Sequence, residues 1–310
     1  MSWNGLLLVD KPPGCTSHDV VDRVRRIFDM SAVGHSGTLD PLASGLMVVL
    51  LGHATKLSDY ILGQDKRYRV TMKFGWTTDS GDRDGQTVRE EPFMLPHEQV
   101  ERMALQMSGD MELPVPVFSA TRVKGKKLYE YARAEKEVTV PVKAMRFYNI
   151  SSPNWVEEQL EIEVSCAKGG YIRSWVTALG AKVGVGATVM ELRRLVSAPY
   201  NVHEAISLEA LAEIVACPEA KANLGPAFIG MAQALPGWQQ CVVKGREEQL
   251  LRNGQISHDL TNRLVVAQKQ AHMSQTPVGI KVLGTDGELV GLIEASIAQG
   301  LKIRRIFAQS

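Results

Sequence analysis

Residues 34–45, GHSGTLDPLASG, set one carboxylate, Asp40, among three glycines and a histidine, directly ahead of the apolar run LMVVLL. A carboxylate has the chemistry of a nucleophile, a base or the counter-charge of an electron-poor carbon. A structural explanation also exists: Pro41 biases Asp40 to an extended backbone, and aspartate at such a step commonly caps a turn or helix. Read as GHSGT, the segment misses the GxSxG nucleophile elbow, because Thr38 stands where the strained turn needs glycine. A serine hydrolase is therefore disfavoured. The seven histidines form no HExxH pair, since His97-Glu98 and His203-Glu204 each lack the second histidine, so no metal is expected. Cys15, Cys166, Cys217 and Cys241 form no CxxC pair, which predicts reduced thiols and neither a zinc ribbon nor a disulfide framework. No GxxxxGK[ST] loop occurs, and GVGAT at 184–188 follows an expected helix instead of a strand, so no nucleotide cofactor is expected.

The 310 residues, 45% hydrophobic and 22% charged, have ordinary globular composition, enough for a substantial core and a second small domain. No basic region precedes the short apolar stretch of MSWNGLLLVDK, and the run Leu46 to Leu51 is far too short to cross a bilayer. A soluble, cytoplasmic protein with no membrane partner is expected, monomeric by default. Net charge is +1, but what matters for nucleic acid is a clustered basic face. Between Arg122 and Arg146 eight basic residues, among them Arg122, Lys124, Lys126 and Lys127, meet only three acidic ones. Such runs usually solvate a surface. Tyr129 and Tyr131 inside this one favour RNA, since bases stack on tyrosine while lysines neutralise phosphates.

Alternating α and β elements must position these groups. GLLLVDKP reads as a strand stopped by Pro12 and Pro13, and Thr16 then caps a helix with Val20, Val21, Val24, Ile27 and Phe28 at helical spacing. YRVTMKF alternates strictly, which turns Tyr68 inward with Val70, Met72 and Phe74. Residues 97–107 predict a helix, and QLEIEVSC a strand before the turn AKGG. Tyr171 and Arg173 follow, at the entrance to an apolar-periodic helix ending near Gly184. Around Pro236 to Trp238 the texture changes to short strands and turns, with the Asp-Gly hairpin GTDGEL, which predicts a domain boundary there.

From residue 5 to about residue 202 the chain resembles the TruB family, the bacterial tRNA pseudouridine-55 synthases. The stretches that carry the likeness are LLLVDKPPGCTSHDVV, VGHSGTLDPLASGLMVV, DKRYRV, SGDRDGQ, VKGKKLYEYAR, KGGYIRSW and ELRRL, in that order. The resemblance implies an α+β fold: a catalytic domain, 1–237, on a mixed, mostly antiparallel central sheet flanked by helices, with an RNA-binding insertion at about 114–146. A small β-rich PUA-like domain, 238–310, would follow. It implies an isomerase that converts uridine to pseudouridine in the tRNA T-loop, needing no redox cofactor, metal or ATP.

The same resemblance assigns roles residue by residue. Asp40 matches the family's reacting carboxylate, with attack at C1′, attack at C6 of the base and assistance of proton loss from C2′ all open. Arg173 matches the arginine that pairs with it, lowering a carboxylate pKa from near ~3.9 where a dry pocket raises it. Tyr68 matches the tyrosine that stacks on the target uracil and is a candidate for the proton lost on rearrangement. Tyr171 and Leu192 match further pocket residues, and His35 one that accommodates the extruded nucleotides. Lys11 and Pro12 match a motif expected to support the loop. The stretch 122–146, mobile without RNA, would close over the T-loop, while the PUA-like module would contact the acceptor stem. Two positions depart from the family pattern: Gly170 replaces the usual Thr and Phe118 the usual Tyr. The segment 263–276 has no counterpart. A non-catalytic tRNA-folding protein and a hydrolase are the alternative readings.

Overall fold

The computed structural model describes residues 3–134 and 136–307. Its centre is a twelve-stranded mixed sheet. The strands that matter for the site are β1 (Gly5–Lys11), β2 (Ser44–Leu51), β3 (Lys66–Phe74), β4 (Gly109–Pro114), β5 (Val142–Tyr148), β6 (Gln159–Cys166) and β7 (Ala187–Ser197). They run in the order β1-β2-β7-β3-β6-β5-β4. Among these seven only the β2–β7 pair is parallel; the others are antiparallel, as expected of a mostly antiparallel mixed sheet.

Strand β1 reads as a continuous apolar run because both of its faces are covered. Leu6 and Leu8 enter one core with Leu46, Val48 and Leu50, whereas Leu7 and Val9 enter another with Met47, Val49 and helix α1 (Ser17–Phe28). Thr16 caps α1 with a reciprocal bond to Asp19, and Val20, Val21, Val24 and Phe28 form its buried stripe. On β3 the strict alternation holds, with Tyr68, Val70, Met72 and Phe74 all buried. Helix α2 (Ile172–Val183) packs Trp175, Val176 and Leu179 on the same core as β3 and stops at Gly184, whose φ of 97° is the left-handed cap.

The excursion between β4 and β5 spans 115–141 and carries the hairpin Arg122–Val123/Lys126–Lys127. Lys143 and Arg146 of the basic stretch sit on β5 itself, and Glu135 lies outside the described residues. Near the C-terminus a second sheet, β8 (Gln239–Val242), β9 (Val278–Leu283), β10 (Leu289–Ser296) and β11 (Gly300–Ile306), runs in chain order. Helices Gly245–Arg252, His258–Arg263 and Val265–Ser274 accompany it, so the unplaced segment 263–276 is mostly the third of these. Among the described residues no helix is long and apolar enough to cross a membrane.

Candidate active site

The Asp40 loop leaves the short strand Val33–Ser36 and returns into β2. Three contacts fix it. Ser17 of α1 accepts from the Leu39 N–H at 2.8 Å and donates to the Leu39 carbonyl at 3.0 Å. The Lys11 ammonium, fully buried, donates to the carbonyls of Ala43 (2.6 Å), Pro12 (3.0 Å) and Pro41 (3.3 Å). Burial pulls the Lys11 pKa down, and the Asp40 charge works against that. Finally, Ala43 N–H closes a turn on the Asp40 carbonyl at 3.0 Å. The glycines have separate reasons. Gly37 and Gly45 hold φ of 87° and 98°, and a Cβ on Gly45 would stand 2.3 Å from the Arg194 carbonyl oxygen of β7.

Arg173 enters from the first turn of α2, where the helix dipole opposes a cation. Carboxylates offset this. Its Nε lies 3.0 Å from Asp40 Oδ2 and its Nη1 3.5 Å from Asp82 Oδ2, while Nη1 and Nη2 also donate to the carbonyls of Ser80 (2.9 Å) and Phe118 (2.7 Å). The guanidinium is thus locked by partners from three loops, and only 4% of the side chain is exposed. Asp40 keeps a third of its side chain open.

That opening faces a cavity of 410 Å³ whose described lining includes Tyr68, Tyr171, Leu192, Arg173, Lys66, Lys168, Ser119 and Arg194. Asp40 is the one carboxylate among the described lining residues. Burial raises its pKa above the ordinary carboxylate value, and Asp82 pushes the same way against Arg173. The dry surroundings raise the value and Arg173 lowers it, the two directions expected, and burial is the larger of the two. Burial also pushes the Tyr68 phenol up to about 12, despite the Arg194 charge, so the ring is a neutral face at working pH.

Asp40, Tyr68, Tyr171, Arg173 and Leu192 therefore meet in one cavity, as their motifs suggested they would. His35 does not line it. It sits opposite Val49 on the short strand, its Nδ1 buried without a partner among the described residues, and burial lowers its pKa. Arg122, Lys124, Lys126 and Lys127 form the hairpin beyond the rim, with Lys124 and Gly125 both at positive φ in a tight turn. The same excursion carries Ser119 and Thr121 to the cavity, and Thr121 Oγ1 lies 3.0 Å from Tyr171 Oη. Of the two departures from the family pattern, Gly170 has a local account, and nothing in the structure explains phenylalanine at 118. A Cβ on Gly170 would meet Cys166 Cβ at 2.7 Å, and the position of Phe118 contributes a backbone carbonyl to Arg173. Sequence reasoning passed over Asp82 and Arg194, although both stand in the quoted stretches SGDRDGQ and ELRRL.

Comparison with known proteins places the chain among its relatives. Residues 25–172 match the family described as "TruB family pseudouridylate synthase (N terminal domain)", and residues 173–228 match "tRNA pseudouridylate synthase B C-terminal domain". The chain is 46% identical over 310 residues to tRNA pseudouridine synthase B of Bdellovibrio bacteriovorus, covering 99% of this chain and 98% of that protein. It is 44% identical over 212 residues to tRNA pseudouridine synthase B of Citrobacter koseri, covering 68% of each. Among solved structures, a Cbf5-Nop10-Gar1 complex contains a chain with a TM-score of 0.70 at 21% identity, covering 98% of this chain and 85% of that one, which speaks to the fold alone. With this identity over nearly its whole length, and with Asp40 and Arg173 paired at the cavity, the chain belongs to the TruB family of pseudouridylate synthases.

Proposed function

We propose that this chain isomerises uridine to pseudouridine at position 55 in the T-loop of tRNA, with Asp40 as the reacting carboxylate. The observation that carries the reading is a single carboxylate, paired at 3.0 Å with a buried guanidinium, opening into a 410 Å³ cavity walled by Tyr68, Tyr171 and Leu192. The space suits one everted nucleoside. A stacked T-loop uridine reaches it only by flipping, at a cost of a few kcal/mol that neighbouring contacts offset.

In the reaction C1′–N1 breaks and C1′–C5 forms on the same base, so atoms balance without a co-reactant. Asp40 engages the sugar or base, and Arg173 holds the ionised form and its orientation. Tyr68 supplies a stacking face. A phenol that keeps its proton to about pH 12 is not a resting phenolate base. The C5 proton then passes to Asp40, once released, as the carboxylate of the cavity, and N1, bared by the cleavage, takes up a proton from solvent, so the proton count of the base is unchanged. His35 would brace the space left by the extruded nucleotides from behind the wall. Arg122, Lys124, Lys126 and Lys127 would meet RNA phosphates at the rim, and a PUA-like module from residue 238 would contact the acceptor stem, positioning the RNA without reading bases.

The test is mass-neutral conversion of uridine in transcribed tRNA. Asp40→Asn is expected to lower conversion by ~10⁴-fold or more and to leave RNA binding in place. Full activity of that variant would overturn the reading. Release of free uracil would point to a hydrolase instead, and binding without conversion by the parent chain to an RNA-folding protein.

A further inference from the structure

Arg194 is a buried cation that the scheme above leaves unused. On β7 it is paired in register with Tyr68 of β3 on one side and Gly45 of β2 on the other. Only 1% of the residue is exposed. Its guanidinium donates from Nε to the Leu46 carbonyl at 2.8 Å and from Nη2 to the Gly37 carbonyl at 3.0 Å. Both acceptors are neutral. Arg173 has two carboxylates, whereas Arg194 forms no ion pair among the described residues. A buried charge without a counter-charge destabilises a fold, and a guanidinium does not shed its proton to escape. Holding one strand carbonyl and one loop carbonyl does not by itself call for a charge at that position.

Asp40 attracts Arg194 only from beyond ion-pair distance, and the arginine's place indicates where a closer negative charge arises. Arg194 lines the cavity with Asp40, and its guanidinium carbon lies 5.9 Å from the centre of the Tyr68 ring. When C1′–N1 breaks, the bonding pair stays on the base and spreads over N1, O2 and O4 of uracil. If Asp40 adds at C6 instead, the pair goes to the C5–C4–O4 enolate. Each route makes an anion of the ring stacked on Tyr68; the extra charge is spent when C5 attacks C1′, returns to N1 when C5 loses its proton, and ends when N1 takes up a proton. We propose that Arg194 is the fixed positive charge that stabilises this uracil anion from the cavity wall beside Tyr68. The inference rests on the pseudouridine reading above. Preorganised charge aimed at where an anion develops in a dry site is effective because nothing must reorganise as the bond breaks.

The full chain is compared with Arg194→Met, Arg194→Gln and Arg194→Lys in single-turnover reactions on T-loop RNA carrying uridine or 5-fluorouridine at the target. Fluorine withdraws electrons and stabilises the anion by itself. It also replaces the C5 proton, so the rearranged fluorinated nucleoside is read after one turnover. Arg194→Met is expected to slow the uridine reaction by ~10²-fold, and the 5-fluorouridine reaction by no more than ~10-fold, with RNA affinity within about threefold of the parent. Arg194→Gln keeps a donor for a loop carbonyl but no charge, and gives the same comparison if the methionine variant does not fold. Arg194→Lys restores part of the uridine rate. An equal loss on both RNAs would reduce Arg194 to a loop clamp and overturn the proposal. So would weaker RNA binding with a shallower salt dependence at an unchanged chemical rate, which marks a phosphate contact. If the parent chain converts neither RNA, it is the pseudouridine reading that fails.

Discussion

At the scale of the residue, Asp40 is held in a form that the fold resists. The folded chain binds the Asp40 proton more tightly than the unfolded chain does, because burial outweighs Arg173. This group's contribution to stability is therefore full below the ordinary carboxylate value of 3.8 and is lost as pH rises through its higher folded value. Two outcomes are expected. The acid limb of kcat/KM for the parent lies above pH 3.8, and Asp40→Asn, though inactive, melts higher than the parent at pH 7, the gap closing on acidification. Thermal melts and rate profiles across pH check both; a parent more stable than Asp40→Asn at neutral pH would show that the ion pair dominates. Sequence made Asp40, Tyr68, Tyr171, Arg173 and Leu192 legible because each stands in a motif of fixed residue type. It hid Arg194 and Asp82, since a charged residue on a strand or in a turn reads as solvated. Only the pairing of β7 with β3 and β2 shows that Arg194 is enclosed.

At the scale of the element, the same twelve-residue segment contains glycines under different demands. Gly45 combines φ of 98° with a would-be Cβ 2.3 Å from the Arg194 carbonyl oxygen, where β2 and β7 run parallel. Gly34 has only the Thr55 methyl at 3.7 Å, an ordinary contact. Gly45→Ala is expected to destabilise by ~3 kcal/mol or more, through backbone strain and forced separation of the two strands. Gly34→Ala should stay within ~1 kcal/mol, as substitutions away from such features do. Denaturant midpoints of the pair check this, and equal losses would show that the glycines serve flexibility and not strand approach. Strands with clean alternation, β3 and β6, were legible for the reason that period two survives along them. Strand β7 was not, because register shifts at Val189/Glu191 and Arg194/Val196 break its alternation. The basic stretch concealed β5 similarly, since Lys143 and Arg146 point to solvent from a strand that buries Met145 and Phe147.

At the scale of the whole molecule, the two sheets share one core. Leu283, Leu289, Leu292 and Phe307 from the C-terminal region pack in the same cluster as Leu6, Leu8, Leu46 and Leu50 of β1 and β2. Lys281 of β9 reinforces the junction by donating to the Ala232 carbonyl at 2.7 Å. The Asp-Gly hairpin between β9 and β10 announced this second sheet, whereas its three helices were obscured by short, polar sequence such as HDLTNR. Strand β2 begins one residue before Gly45 and carries Leu46 into the shared core, so the floor of the Asp40 loop is also the floor of the C-terminal region. Phe307, 2% exposed at the far end of the described chain, tests that continuity. Phe307→Ala is expected to cost ~3–5 kcal/mol by opening a cavity in the common core. Because that core is common, calorimetry should show one transition displaced as a whole, by ~2–4 °C for each kcal/mol. Conversion of T-loop RNA should then fail at the same temperature as the fold. A variant whose C-terminal region melts early while uridine conversion persists to the parent's temperature would mean that the two sheets are independent in stability despite their shared packing.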